Sequence, residues 1–298
     1  KMKRCKEDVV FDAACFIILT LVLFVVAYPL YWVIISSISA PSAVSSGKVL
    51  LHPIGFTLKG YAEVFKNDQV MRGFLNSLII TFCGVMVNLI VTLPTSYALS
   101  RSNFSGKKPI SIFYLITMFF GGGLIPTYLV IQRLQMLNTI WALILPGCLS
   151  VYNMIVARTF FKSNISEELY EAAEIDGCTQ ARFFFQIALP LSKAIIAILV
   201  LYYGVGHWNS YFSALVYISD KAKYPLQLVL RNILITNQTA LSQTATTAAA
   251  RAALQEKQQL IDVMKYSLII ISSIPVLVMY PLVQKHFVKG VMIGSMKG

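Results

Sequence analysis

The sequence predicts an all-α polytopic membrane protein, and three observations carry that reading. Only 13% of its 298 residues are charged and 57% are hydrophobic, whereas a soluble domain keeps about 25% charged side chains to coat its surface. The charges fall at the ends of long apolar intervals, six of which can cross a bilayer. The segments joining those intervals differ in their Lys and Arg density, as expected of alternating sides of a membrane.

A hydrocarbon layer about 30 Å thick takes ~20 apolar residues of helix, which sets the search for uncharged intervals. The first span, 13–38, follows Asp12 and contains CFIILTLVLFVVAYPLYWVII. Its run is far longer than a signal-peptide core and lacks a small-x-small cleavage site, so the expectation is that it stays attached. The second, 73–100, lies between Arg72 and Arg101. The next uncharged stretches, 109–132 and 137–157, are separated by Arg133 and the polar LQMLNT, so they read as two helices and a turn. Gly121-Gly122-Gly123 before Pro126 predicts a kink or break in the third span. Spans five and six are 194–219, opened by Pro190, and 266–286. The interval 232–250 is also uncharged, but ten of its 19 residues are Asn, Gln, Ser or Thr, which hydrocarbon does not accept.

Six crossings put both termini on one side. Residues 1–8, 101–108, 158–193 and 285–298 hold 14 Lys and Arg in 66 positions, against 11 in 87 for the opposite set. The denser set belongs in the cytoplasm by the positive-inside rule, which leaves an outer loop at 219–265. Ala and Gln in its QTALSQTATTAAARAALQ favour helix there.

Several functions are excluded by what is missing. The net charge of +12 comes without any Lys/Arg run longer than two, so no nucleic-acid partner is expected. The five cysteines, Cys5, Cys15, Cys83, Cys148 and Cys178, form no C-x-x-C pair, and no metal site follows. There is no P-loop sequence, and three histidines leave little for catalysis. The uncharged intervals, the last of them Tyr266 to Gln284, lack the Asp, Glu, Lys or Arg that ion-driven carriers keep inside their bundles. What remains is a pathway powered from elsewhere, or a non-transporting scaffold or passive channel.

The 158–193 loop carries the most information. Ser166 can cap a helix, Glu167 and Glu168 fall in its first turn, and Gly177 stands where a left-handed residue ends it. That predicts a helix over about 167–176. Ile165, Leu169, Ala172 and Ala173 share one face of it, with Glu167, Glu171 and Glu174 on another. The helix either lies on its own bundle or seats its small Ala pair in a partner.

Glu171-Ala172-Ala173, three residues, Gly177, nine residues and Ile187-Ala188-Leu189-Pro190 resemble the cytoplasmic EAA motif of binding-protein-dependent ABC importer permeases. YPLYWVIISSIS, SYALSR, IPTYLVIQRLQMLNTIWALILP, WNSYFSALVYI and QKHFVKGVMIGSMKG are similar to segments of the maltose-permease type, so the resemblance covers nearly the whole chain. Within that type it is most similar to the branch handling acidic oligosaccharides such as rhamnogalacturonan or oligouronides.

The resemblance implies one transmembrane domain over 1–298 with the type I ABC importer permease fold, in the plasma membrane of a prokaryote. It also implies a second homologous permease subunit, two cytoplasmic ABC ATPases, an extracellular sugar-binding protein and an oligosaccharide substrate. ATP and magnesium would be held by the ATPases, with no cofactor in this chain. Glu171, Ala172, Ala173 and Gly177 would couple to the ATPase, and the outer loop would meet the binding protein. Tyr203, His207, Trp208, Asn209 and Tyr211 are expected to gather near the middle of span five. Polar groups at that depth face a protein interior or a wet cavity, so they are candidates for the sugar pathway, helix packing being the alternative.

Overall fold

The computed structural model describes residues 6–240 and 248–295. Among these every regular element is helical. Three helices are long and apolar enough to cross a membrane, Val10–Ser37, Asp68–Ser100 and Gln258–Pro281, and three more pairs qualify if each bent pair is one span. The pairs are Lys107–Phe119 with Leu124–Arg133, Trp141–Gly147 with Val151–Asn164, and Gln180–Leu191 with Lys193–Trp208, bent by 114°, 52° and 80°.

The first break sits at the triple glycine, as the sequence indicated. Gly123 has φ +85°, a conformation nearly closed to other residues, and the helix restarts behind it. The third break falls elsewhere than expected. Pro190 does not open the fifth span: it lies in the last turn of the preceding helix, and the span helix begins at Lys193 after Ser192. One π turn over Phe184–Ala188 lies just before Pro190, in the register where a missing N–H and a bulky ring disrupt α-helical bonding.

Two further boundaries differ. The fifth span is not one helix over 194–219; it stops at Trp208 and a short helix, Phe212–Tyr217, follows Asn209 to Tyr211. The last helix runs over Ala248–Ser295, so it begins well before 266, and residues 248–255 are helical as their Ala and Gln content indicated. AAARAALQEKQQLIDVMK holds strong helix formers and no breaker, which favours helix well before the apolar stretch. Asp262 and Lys265 pair across one turn at 4.0 Å. The polar run 238–255 is only partly visible, because residues 241–247 lie outside the described residues; the segment before it is helical, Leu226–Ala240.

The chain divides into two compact units, residues 1–70 with 230–273 and residues 71–229 with 274–298. In the first, Ile35, Ala43, Val44, Val49 and Val263 form the core. Trp32 donates to the Val49 carbonyl at 2.8 Å and meets Tyr266 edge to face at 5.1 Å. In the second, Leu93 and Tyr97, Ala157 and Phe161, Ile165 and Tyr170, Phe183 to Ala188, and Ile195 to Tyr203 share one core. The 158–193 loop is thereby built into the same packing as spans two, four and five.

Two glycines at close helix contacts should respond differently to a methyl group. A Cβ on Gly60 would lie 2.8 Å from Val263 Cγ1 and 3.1 Å from the Val263 carbonyl, and backbone cannot yield, so Gly60→Ala should cost about 1–3 kcal/mol of stability. On Gly204 it would meet the methyl end of Met279, a side chain free to swing aside. Gly204→Ala should be near neutral, the gain in helix propensity of roughly 1 kcal/mol offsetting the shift. Thermal unfolding in detergent reads both.

Candidate functional site

The loop helix forms over Glu167–Ile175 with the end signals the sequence supplied. The Ser166 hydroxyl accepts from the Leu169 N–H at 3.3 Å, and Gly177 takes φ +76° with its N–H on the Glu174 carbonyl at 2.9 Å. Its inward face is not the expected one. Leu169 is 39% exposed and Ala172 lies outside, while Tyr170 is buried and Ala173 packs on the core. The physical reason is the tyrosine: its ring offers more area to bury than Leu169 or Ala172, and rotating the helix to sink it turns Ala172 outward.

Glu167 turns inward as well, off the solvated acidic face assigned to it. Arg101, the residue just after span two, forms an ion pair with Glu167 through its guanidinium and the Glu167 Oε2 atom. The same guanidinium stands 4.8 Å from the Tyr170 ring centre, 5.6 Å from Tyr97 and 6.0 Å from Phe183, all cation–π distances. The Ser102 N–H donates to Glu167 Oε1 at 3.1 Å, and Lys107 donates to the Arg101 carbonyl at 3.3 Å. Tyr170 meets Phe183 edge to face at 5.2 Å. Desolvation pushes the Glu167 carboxyl up, but the Ser102 hydrogen bonds and the charges of Arg101 and Lys107 outweigh it, so the carboxyl titrates below its ordinary value.

With the inner face locked, Glu168, Glu171, Ala172 and Ile175 remain exposed, Ile175 at 87%. At 3.6 residues per turn these four share the outer side. Glu171, Ala172 and Gly177 are therefore on or beside an open acidic and apolar surface, and Ala173 is not. Arg101 and Ile175 were missed in the sequence: Arg101 lies 66 positions from its partner, and only its place in SYALSR marked it.

The second group sits at the break in span four. That break leaves the Gly147 and Cys148 carbonyls and the Ser150 N–H outside regular helix bonding, and such groups must find partners inside a membrane. The Asn88 amide donates to both carbonyls at 2.8 Å. The Ser150 N–H donates to the Tyr203 hydroxyl at 3.2 Å, and that hydroxyl shares a hydrogen with Thr92 at 2.8 Å. His207 Nε2–H donates to Asn88 Oδ1 at 2.7 Å, its ring lying so close to Gly84 that a Cβ there would come within 2.5 Å.

The structure thus brings Tyr203 and His207 together on one network, and Trp208 is buried, edge to face with Phe74 at 5.7 Å. Asn209 and Tyr211 are not on that stripe. Tyr211 does not continue the face of His207, because the helix ends between them, and both residues are exposed at the break. His207 stands next to the last residue of the Lys193–Trp208 helix rather than at its centre. Among the described residues no group of His, Cys, Asp or Glu could hold a metal ion.

No protein-family model matches the chain. A permease protein of the polygalacturonan/rhamnogalacturonan transport system of Bacillus subtilis, YtcP, is 36% identical over 288 residues, covering 97% of this chain and 98% of that protein. Protein LplC of Bacillus subtilis is 38% identical over 297 residues, 100% and 98% of the two chains. A chain from the crystal structure of a bacterial ABC transporter that imports the acidic polysaccharide alginate superposes with TM-score 0.86 at 27% identity, over 96% of this chain and 100% of that one.

The Arg101 joint makes two predictions. Arg101→Gln should speed amide exchange across 167–175 by roughly ten- to a hundredfold, the loss expected for a charged hydrogen bond. Because the Glu167 carboxyl is lowered, its contribution is complete above its ordinary value near 4.5 and is lost only as pH falls through the lower folded value. Protection of the loop helix should therefore persist through pH 4.5 and fail below it, and Glu167→Gln should remove that dependence.

Proposed function

We propose, from the premise that this chain belongs to the family of ABC sugar-transport permeases, that it is one permease half of an ATP-driven, binding-protein-dependent oligosaccharide importer. Six crossings with both termini in the cytoplasm follow from counting each bent pair as one span and from the Lys and Arg bias. The chain then lies in the plasma membrane beside a second, homologous permease, with two ATPases holding ATP and magnesium beneath and a sugar-binding protein outside. The relatives named for polygalacturonan, rhamnogalacturonan and alginate favour an acidic oligosaccharide as cargo.

The observation that carries this reading is the two-sided loop helix. Its inner side is fixed to the bundle by Tyr170 and the Arg101–Glu167 pair, and its outer side offers Glu171, Ala172 and Ile175 to a partner. A helix fastened on one side and open on the other passes a partner's displacement to spans two, four and five instead of absorbing it. Coupling then amounts to a difference in how the ATPase packs on that helix in inward and outward states.

Glu171→Lys should lower sugar-stimulated ATP hydrolysis by about tenfold or more, the effect of one charged hydrogen bond lost at an interface. Gly177→Val should do the same by straining a left-handed residue. If both variants assemble and hydrolyse ATP like the wild type, the loop helix does not couple. ATP turnover by this chain alone would favour an unrelated activity.

For the pathway, Asn209 and Tyr211 are the groups free to meet sugar, with Tyr203, His207 and Trp208 shaping the wall behind them. Aromatic faces and amides suit brief contact with a hydroxylated ring. Tyr211→Ala should lower uptake more than basal ATP hydrolysis; unchanged uptake would assign the sugar contacts to the partner permease.

A further inference from the structure

Behind the break in span four, a cavity of about 450 Å³ is walled by Asn153, Leu201, Tyr202, Val205, Val276 and Tyr280, from spans four, five and six. Asn153 is 6% exposed. Its backbone N–H donates to the Ser150 hydroxyl at 3.4 Å, but among the described residues its side-chain amide has no hydrogen-bond partner. Among those residues the side-chain atoms both unpartnered and sealed from solvent belong to Ser36, Thr81 and Tyr97, so the Asn153 amide keeps accessible surface, and the cavity is where it opens. Tyr202 and Tyr280 are 43% and 55% exposed, and neither phenol is hydrogen-bonded among the described residues.

These walls select a class of occupant. An acyl chain would leave one amide and two phenols unmet, which hydrocarbon penalises. An ion would find no charged side chain in the lining. Two tyrosine rings can take the C–H face of a saturated ring, while the amide and phenols both donate and accept, which matches a ligand dense in hydroxyls. The volume falls within the range of small-molecule sites. Span five serves the cavity with a face of its own: Tyr203 and His207 turn to the break, whereas Leu201, Tyr202 and Val205, spaced by three and four residues, turn to the cavity.

We propose that this cavity holds one sugar ring of the cargo in passage, with the Asn153 amide exchanging hydrogen bonds with its hydroxyls and Tyr202 and Tyr280 flanking it. The assignment rests on the transport reading given under the proposed function, and it adds a second station to the Asn209 and Tyr211 contacts. With no charge in its walls, the cavity reads ring faces and hydroxyls and is indifferent to a carboxylate elsewhere on the cargo. A buried amide without a partner lowers stability, so removing it separates binding from folding: the protein loses nothing it uses for itself.

The test uses the assembled importer, with trigalacturonate as an acidic oligosaccharide and galactotriose as a neutral one. In nanodiscs without the binding protein, the thermal midpoint is read with and without each sugar at millimolar concentration. In proteoliposomes with the binding protein, uptake is read. At least one of the two sugars is expected to raise the wild-type midpoint, as mass action on a bound state requires. Asn153→Leu keeps the shape of the side chain without its amide, so its midpoint without sugar should equal or exceed the wild type. Its uptake and its apparent affinity for the sugar should fall about tenfold, the scale of one hydrogen bond. Tyr202→Phe and Tyr280→Phe keep the rings and should each cost less than Asn153→Leu.

A wild-type midpoint that neither sugar moves, or an Asn153→Leu complex that binds and imports sugar like the wild type, overturns the cavity assignment. A lowered midpoint or lost assembly in Asn153→Leu without sugar also overturns it, because the amide would then be bonded to the partner permease. Failure of the proposed function is seen separately, as absence of binding-protein-dependent uptake of either sugar. The cavity is judged apart from that, on whether the sugar-induced rise in midpoint disappears in Asn153→Leu.

Discussion

The fold depends on one joint, the Arg101 guanidinium set among Tyr97, Tyr170 and Phe183 and paired with Glu167. An arginine in such a place loses much of its hydration, and the cost is met because the ion pair and ring faces act on a partly dehydrated charge. The joint fixes three things at once: where the second span helix ends, which way the loop helix rotates, and how Phe183 and Phe184 enter the core. Leu93 and Tyr97, Phe161, and Ile195 to Tyr203 close around the same aromatic cluster. The loop is part of the bundle's packing, and its outer face is set by what its inner face must bury.

A second constraint governs the broken helices. In hydrocarbon a helix can break only where side chains or neighbouring backbone replace the lost hydrogen bonds. The break in span four meets this through Asn88 from span two and Tyr203 from span five, with His207 holding the Asn88 amide in place. That explains why Tyr203 and His207 stand on one face of span five with their polar atoms turned to neighbouring helices. It also ties spans two, four and five together near the break in span four, as the aromatic core ties them at the loop.

What the sequence made legible was local. The Ser166 cap, the left-handed Gly177 and the triple-glycine break are written in residues whose backbone preferences act over a turn or two, and all three stand in the structure. The face of the loop helix was misread because periodicity weighs Leu169 and Ala172 by hydrophobicity alone. The burial of Tyr170 depends on Arg101, distant in the chain, and no local signal contains that pair. The stop at Trp208 was equally hidden, since WNSYFSALVYI is apolar enough to continue a helix. Helix in the Ala- and Gln-rich stretch was legible from propensity, whereas its continuity with the last apolar segment, from Ala248 onward, was not.

The same distinction between local and tertiary signals reassigns the polar residues of span five. Tyr203 is committed to the Ser150 N–H and His207 to the Asn88 side-chain amide that serves the break, and a sugar could take their hydrogen bonds only by leaving the Ser150 N–H and the Asn88 amide under-satisfied. Such an exchange favours neither partner, because a protein hydrogen bond traded for a sugar one is roughly even while the disrupted break costs more. Asn209 and Tyr211 carry no such obligation in the structure's hydrogen bonding. Under the proposed transport function that difference separates wall from contact. A pathway whose free groups are an amide and a phenol, with no fixed charge, releases what it touches.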